Sequence, residues 1–344
     1  MTCQPQKIGL ALQGGGSHGA FAWGVLDTLM ASGRFEIDGI SGSSAGAVNG
    51  VLLAQGLARG GADAAREEMA RFWRKLGDAA ALSPFQPTWL EQMTGTAHLE
   101  ASPMYQWFDL MMRVMSPYQF NPTGWNALES LLKPLLDEAL VNSDKAPPLY
   151  VSATDVHEGR LTLFTRGSIT AKVVAASACL PFLFQAVEID GKHYWDGGYM
   201  GNPTLYPLIN DCGTRDIVIV QINPQTTPDL PTHPTQIIDR MNEISFNATL
   251  MREIRGIEVI NRLMADGDLA ESCGKSPIRL HRIGEEDALA PYSTASKFAA
   301  DRAFLNELFE LGQQSADRWL RQHADQVGTC STCDLERDFA VEMR

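Results

Sequence analysis

The 344-residue chain contains no run of about 18 consecutive apolar residues, so no membrane-spanning helix is expected. It is also short of positive charge. Lys and Arg number 28 against 41 Asp and Glu, and the formal net charge of −13 opposes binding to nucleic acid or to anionic lipid. Any approach to a membrane is then expected to be a transient apolar contact. Cysteine is sparse and scattered, at Cys3, Cys179, Cys212, Cys273, Cys330 and Cys333, which suits a reduced compartment better than a disulfide framework. Cys330 and Cys333 form one CxxC, half of a four-ligand zinc set with no second pair to complete it, so no metal is assigned. The start of the chain lacks an apolar leader with a small-residue cleavage site, and a cytoplasmic protein is expected. Internal repeats and low-complexity linkers are missing too, which points to a single domain over residues 1–325 followed by a loose polar tail, 326–344.

What the chain does contain is an alternation of strand and helix patterns. The apolar run 7–12 predicts a strand, 20–30 an amphipathic helix with Phe21, Val25 and Leu29 on its core face, 38–42 a second strand and 45–58 a second helix. Strand, helix and strand within so short a span imply a parallel pair, and hence a mostly parallel sheet covered on both faces. Further strands are expected in LYVSATDV, LTLFTR and DIVIVQI, with a hairpin turning at Asp190-Gly191. Residues 125–140 read as one helix kinked at Pro134, and long helices are expected near 235–264 and 296–322. The segment 78–145 interrupts the alternation. Its stretch 83–120 is rich in Met, Trp, Phe and Pro, which suits an inserted helical layer or, functionally, a lid or an adaptable apolar wall for a flexible ligand.

Two glycine-rich turns carry the chemistry. The first strand runs into GGGSHG, Gly14 to Gly19. Gly14, Gly16 and Gly19 fit a dinucleotide fingerprint, with Asp38 nineteen positions after Gly19 as its ribose-binding acid. The second strand, however, ends in GSSAG, Gly42 to Gly46, a G-x-S-x-G turn with Ser44 at its centre. Gly42 and Gly46 remove side chains that would crowd such a turn, and the helix opening at Ala45 aims unpaired N–H groups at the serine. In a parallel sheet both turns emerge at the same edge, which brings GGGSHG beside Ser44 as a source of N–H donors for an oxyanion.

In order along the chain, GGGSHG, GSSAG, the ASACLP stretch at 176–181 and the DGG of Asp196, Gly197 and Gly198 resemble the patatin-like phospholipases. The resemblance spans residues 7 to about 222. It implies a three-layer α/β/α sandwich, no metal or other cofactor, and hydrolysis of lipid-like carboxylic esters by a dyad of Ser44, the nucleophile, and Asp196, its base. It also implies an oxyanion hole from the backbone of Gly14, Gly15, Gly16 and Ser17. The chain departs from the family at His18, where the glycine loop usually carries Lys or Arg. A neutral imidazole there is expected to remove a fixed charge near the site and restore it only in acid, changing substrate preference or pH profile; the plainer alternative is that His18 caps the following helix.

Two other functions remain open on the residues alone. One is a Ser-Asp-His esterase with Asp155 or Asp196 and a later histidine such as His281; the other is a nucleotide-binding module using GGGSHG and Asp38. Apart from His18 the histidines show no metal-like spacing and are read mostly as surface residues.

Overall fold

Alternate residues of the strand Asp216–Val220 divide the molecule into layers. Val218 and Val220 enter one apolar cluster, while Ile217 and Ile219 enter another on the opposite face, as the two-residue period of a strand buried on both sides requires. The structure, a computed structural model, describes residues 4–81, 114–227, 230–232, 234–266, 276–289, 292 and 294–333. Residues 82–113, on which the expected lid or wall mostly depends, lie outside the described residues. From 114 to 120 the chain exposes Val114, Met115 and Tyr118.

The sheet is built from β1 (Gln6–Leu12), β2 (Phe35–Gly42), β3 (Leu149–Asp155), β4 (Arg160–Phe164), β5 (Val187–Ile189), β6 (Lys192–Asp196), β7 (Asp216–Val220) and β8 (Arg279–Ile283). Its order is β5-β6-β3-β2-β1-β7-β8, with β4 also paired to β3. Neighbours from β3 to β8 in that order are parallel, whereas β4, β5 and β6 are antiparallel to their partners. The helices are α1 (Gly19–Ser32), α2 (Ala45–Gly60), α3 (Ala62–Ala80), α4 (Ala171–Ser177), α5 (Pro234–Ala265) and α6 (Arg302–His323), with shorter turns between them. Residues of α1, α2, α3, α4 and α6 pack on one face, and α5 with the short helix Tyr206–Asp211 covers the other. This is the expected three-layer sandwich. Each fully buried Val, Ile or Leu in such a core contributes about 1.5–3 kcal/mol, which is what outweighs the ordering of the chain.

Four local expectations need correction. Helix α1 is not amphipathic: Phe21, Val25 and Leu29 are buried, but so are Ala22, Trp23 and Leu26, because α3 and α6 both pack against it. Its one carboxylate, Asp27, is accordingly held by the Arg66 guanidinium of α3 at 2.9 and 3.2 Å. Residues 125–140 form two short helices, Ala127–Leu132 and Glu138–Val141, rather than one kinked helix. Pro134 removes an N–H between them, and Asp137 restarts the chain by accepting the Leu140 N–H. Strand β2 begins at Phe35, and Asp38 lies at a bulge within it. Finally, residues 327–333 are not a loose tail. Thr332 N–H donates to Leu280 O at 3.1 Å, the Leu280 N–H donates to Ser331 Oγ at 3.1 Å, and the Gly328 N–H reaches Asp216, so this segment is pinned along β7 and β8.

Candidate active site

The register of β3 explains how two residues far apart in sequence meet. Gly42, the last residue of β2, pairs with Val151, and on the same side of β3 the pairing is taken up two residues later by β6, where Asp196 pairs with Ala153. The other side of β3 is occupied by β4 over the same stretch. Strand β6 therefore fills the place that β2 leaves when its chain turns away through Ser43 and Ser44, and Asp196 ends just over that turn.

The turn itself is strained. Ser44 adopts φ 53 and ψ −123, a left-handed conformation that L-residues rarely occupy, and α2 starts at the next residue. A Cβ on Gly46 would collide with the Leu12 carbonyl, so only glycine lets α2 begin this close to β1. A Cβ on Gly14 would come within 2.6 Å of the Ser44 Cβ, which puts the glycine loop in contact with the serine. ASACLP lies between the two halves of the site. Ser177 Oγ accepts the Ser44 N–H at 2.9 Å, and Cys179 O accepts the Asp196 N–H at 2.8 Å.

Both side chains are buried, Ser44 at 8% and Asp196 at 1% exposure. Asp196 Oδ1 accepts the Gly198 N–H at 2.7 Å, and Oδ2 has no hydrogen-bond partner among the described residues. Burial pushes the Asp196 carboxyl up to about 7, against the Gly198 N–H and the neighbouring Ser44 hydroxyl, which both favour the charged form. A carboxylate beside a strained serine, with one free oxygen and a proton affinity matched to neutral pH, is equipped to exchange a proton with it.

The glycine loop is less uniform than its sequence suggests. The Gly14 N–H is donated to Asn202 Oδ1 at 2.6 Å, so Gly14 has no N–H to offer an oxyanion. The N–H groups of Gly15 and Gly16 meet no acceptor among the described residues. Gly16, Ser17 and His18 form a single 3-10 turn that leads into α1 behind them.

His18 is neutral at ordinary pH, as expected, but neither its return to charge in mild acid nor a capping role follows. It occupies the N-cap position of α1 but makes no side-chain cap. Its ring is buried edge-on to Tyr292 and Phe304, with Nε2 2.7 Å from Ser296 Oγ. Burial, with Lys297 nearby, pushes its pKa down to about 3, so it remains neutral through any ordinary pH range and cannot shape the activity profile by titrating.

The other candidates are carried elsewhere. His281 is buried inside β8 rather than exposed, with Nε2 3.1 Å from Asp216 Oδ1 and Nδ1 3.1 Å from Thr332 Oγ1. Asp216 opens β7, at the opposite edge of the sheet from Ser44, so His281 cannot complete a triad. Asp155 accepts the N–H groups of His157 and Glu158 and faces Lys192, closing a turn. Asp38 accepts the N–H groups of Gly213 and Thr214 and faces Lys7, which fixes the entrance to β7 and leaves no acid where a ribose would lie. Both alternative functions lose their key residue in this way. No group of three His, Cys, Asp or Glu suited to a metal occurs among the described residues.

Three residues beside the site were not anticipated, Asn202, Asn223 and Lys297, and Ser177 is noted in the sequence only as part of ASACLP, without a role. Asn223 follows β7 at the same sheet edge as Ser44, a position that does mark loop residues as candidates in a parallel sheet. For Lys297 the sequence holds no such signal.

Residues 10–209 match the family model described as patatin-like phospholipase. The chain is 26% identical over 217 residues to lysophospholipase NTE1 of Cryptococcus neoformans, covering 63% of this chain and 11% of that protein. It is 24% identical over 238 residues to an uncharacterised NTE-family protein of Mycobacterium tuberculosis, covering 69% of this chain and 55% of that one. It therefore spans a minor part of the first relative and about half of the second. Structural similarity to VipD from Legionella pneumophila is distant, with a TM-score of 0.36 at 14% identity over 91% of this chain and 67% of that one.

Proposed function

This chain belongs to the patatin-like phospholipase family, and from that premise we propose that it is a serine acyl hydrolase that cleaves lipid-like carboxylic esters through Ser44 and Asp196. The observation that carries this reading is the buried Asp196 Oδ2, unpartnered among the described residues and beside a nucleophile-elbow serine.

In this mechanism Ser44 Oγ attacks the ester carbonyl while Asp196 Oδ2 takes its proton. The carbonyl oxygen becomes negative and is received by the N–H groups of Gly15 and Gly16, aided by the N-terminal end of α2. Collapse of this intermediate breaks the ester bond, and the leaving alcohol takes the proton from Asp196. Water then attacks the acyl-enzyme with Asp196 again as base, releasing the acid and restoring the Ser44 hydroxyl. Each step needs a carboxyl that both accepts and returns a proton near neutrality, which an ordinary exposed aspartate does poorly.

Lipid-like substrates are supported by the family and by the similarity to the fungal lysophospholipase NTE1. Transient apolar contact with a lipid surface is supported by Phe182 and Met200, both exposed and lying shortly after Cys179 and Asp196 in the chain. Among the described residues no helix is long and apolar enough to cross a membrane.

A fluorophosphonate probe is expected to label the wild type and not Ser44→Ala; labelling that survives the substitution rejects Ser44 as nucleophile. Hydrolysis of p-nitrophenyl esters, phosphatidylcholine and lysophosphatidylcholine by the same pair separates a general esterase from a phospholipase.

A further inference from the structure

The peptide bond between Gly14 and Gly15 is gripped by its oxygen. Gly14 O accepts Asn223 Nδ2 at 2.6 Å and Asn202 Nδ2 at 3.3 Å. In a trans peptide the carbonyl and the following N–H point in opposite directions, so fixing this oxygen toward Asn223 also fixes the direction of the Gly15 N–H. That N–H is one of the two donors assigned above to the oxyanion.

Asn223 is itself oriented from both ends. Its backbone N–H donates to Gln13 Oε1 at 2.8 Å, and its side-chain Oδ1 accepts Lys297 Nζ at 2.9 Å. An ammonium group has only donors, so the Asn223 amide must present its oxygen to Lys297 and its nitrogen to Gly14. The charge also polarises the amide and strengthens the hydrogen bond that Nδ2 makes.

Lys297 arrives on a 3-10 turn, Thr294–Phe298, that clasps the glycine loop. Gly16 has φ +59, and a Cβ there would collide with the Lys297 carbonyl, so the turn lies directly on the loop. Ser296 bonds His18 next door, and Tyr292 and Phe304 pack on the same imidazole. The Lys297 ammonium is largely buried and also lies 3.6 Å from Glu243 Oε1 on α5. Asn223, Glu243, Tyr292, Ser296, Lys297 and Phe304 all fall outside the span that matches the family model, residues 10–209.

We infer that Lys297 is a positioning residue for the reaction: acting through Asn223, it holds the Gly14–Gly15 peptide in the orientation that presents the Gly15 N–H to the oxyanion. The buried, neutral His18 then serves as an anchor for the turn that delivers this charge. The inference rests on the Ser44–Asp196 reading and extends it to a part of the chain that the family resemblance does not reach.

The test compares wild type, Lys297→Met, Lys297→Arg and Asn223→Asp in p-nitrophenyl ester hydrolysis and fluorophosphonate labelling, with thermal unfolding of each. Lys297→Met is expected to lower kcat by roughly tenfold with KM little changed, and Lys297→Arg to restore most of it. Asn223→Asp keeps the contact with Lys297 but loses the donor to Gly14 O, and a loss on the order of 10²-fold is expected, as for removal of an oxyanion donor. Labelling rates should fall in parallel, because the phosphonyl oxygen uses the same N–H. Lowered thermal stability with kcat unchanged per folded molecule, or a loss that Arg does not restore, overturns the inference and leaves Ser44 untouched. A wild type that is neither labelled nor active overturns the dyad and this inference together.

Discussion

Two buried aspartates at opposite edges of one sheet differ in how completely they are paired, and the difference separates a structural carboxylate from the one proposed to move a proton. Asp196 is 1% exposed and Asp216 3%. Asp216, where β7 begins, faces the Arg279 guanidinium at 2.8 and 2.6 Å, His281 at 3.1 Å and the Gly328 N–H at 2.8 Å. Burial opposes its charge, but these partners prevail and hold its carboxyl well below the ordinary range. Asp196, where β6 ends, receives one N–H and keeps Oδ2 without a partner among the described residues, so burial prevails and its pKa rises to about 7. The same residue type at comparable burial therefore has opposite electrostatics. Full pairing makes an anchor, and incomplete pairing leaves a carboxyl able to move a proton.

The sharpest way to break this comparison is to neutralise each carboxyl in turn. Asp196→Asn is expected to lower kcat by about 10⁴-fold, while Asp216→Asn retains most activity per folded molecule. Comparable losses in both, measured by ester hydrolysis on verified folded protein, would remove the functional distinction. The next effect is on stability. Asp216→Ala leaves Arg279 without its partner and is expected to destabilise by about 3–5 kcal/mol in urea unfolding, because breaking one side of a buried pair exposes the desolvation of the other.

Asp196→Asn should act in the opposite direction. Its folded pKa of about 7 exceeds the unfolded value of 3.8, so the folded state binds the extra proton between them and stability falls as pH rises through that window. Above pH 7 the penalty is complete, up to roughly 4 kcal/mol, and removing the charge should recover part of it. An Asn variant less stable than wild type at pH 8 would contradict the description of Asp196 as an unpaired charge. The smallest effect sharpens the contrast further. As a base Asp196 must be ionised, so kcat/KM should rise with pH to a plateau with its midpoint near 7, whereas an ordinary aspartate would place it near 4. His18 should add no second limb at mildly acid pH.

Much of this molecule is legible in its sequence, for local reasons. In β7, Ile217 to Val220 is an unbroken apolar run because both its faces are covered, and GSSAG marks a strand-to-helix turn because a Cβ does not fit at Gly42 or Gly46. The misreadings occur where distant segments intrude. An amphipathic α1 is the natural expectation from Phe21, Val25 and Leu29, yet α6 comes from the other end of the chain to cover what would have been its outer side. His18 reads as a titrating group near the substrate until Tyr292, Ser296 and Phe304 enclose it. The glycine loop reads as four equivalent donors until Asn202 takes the Gly14 N–H.

By itself, then, the sequence determined where the backbone must turn and which faces must be buried, since glycine geometry and apolar periodicity act over a few residues. The serine turn and the glycine loop beside it follow from that local grammar, whereas Asp196 is named only through the resemblance to the patatin-like phospholipases. Only the tertiary structure decided which buried carboxyl keeps an oxygen unpaired among the described residues, which glycine N–H is taken by a neighbour and which cation reaches the amide that holds the loop. Desolvation and hydrogen-bond pairing depend on neighbours such as Asn223, Arg279 and Lys297, which reach these groups only when the sheet and its covering helices have assembled.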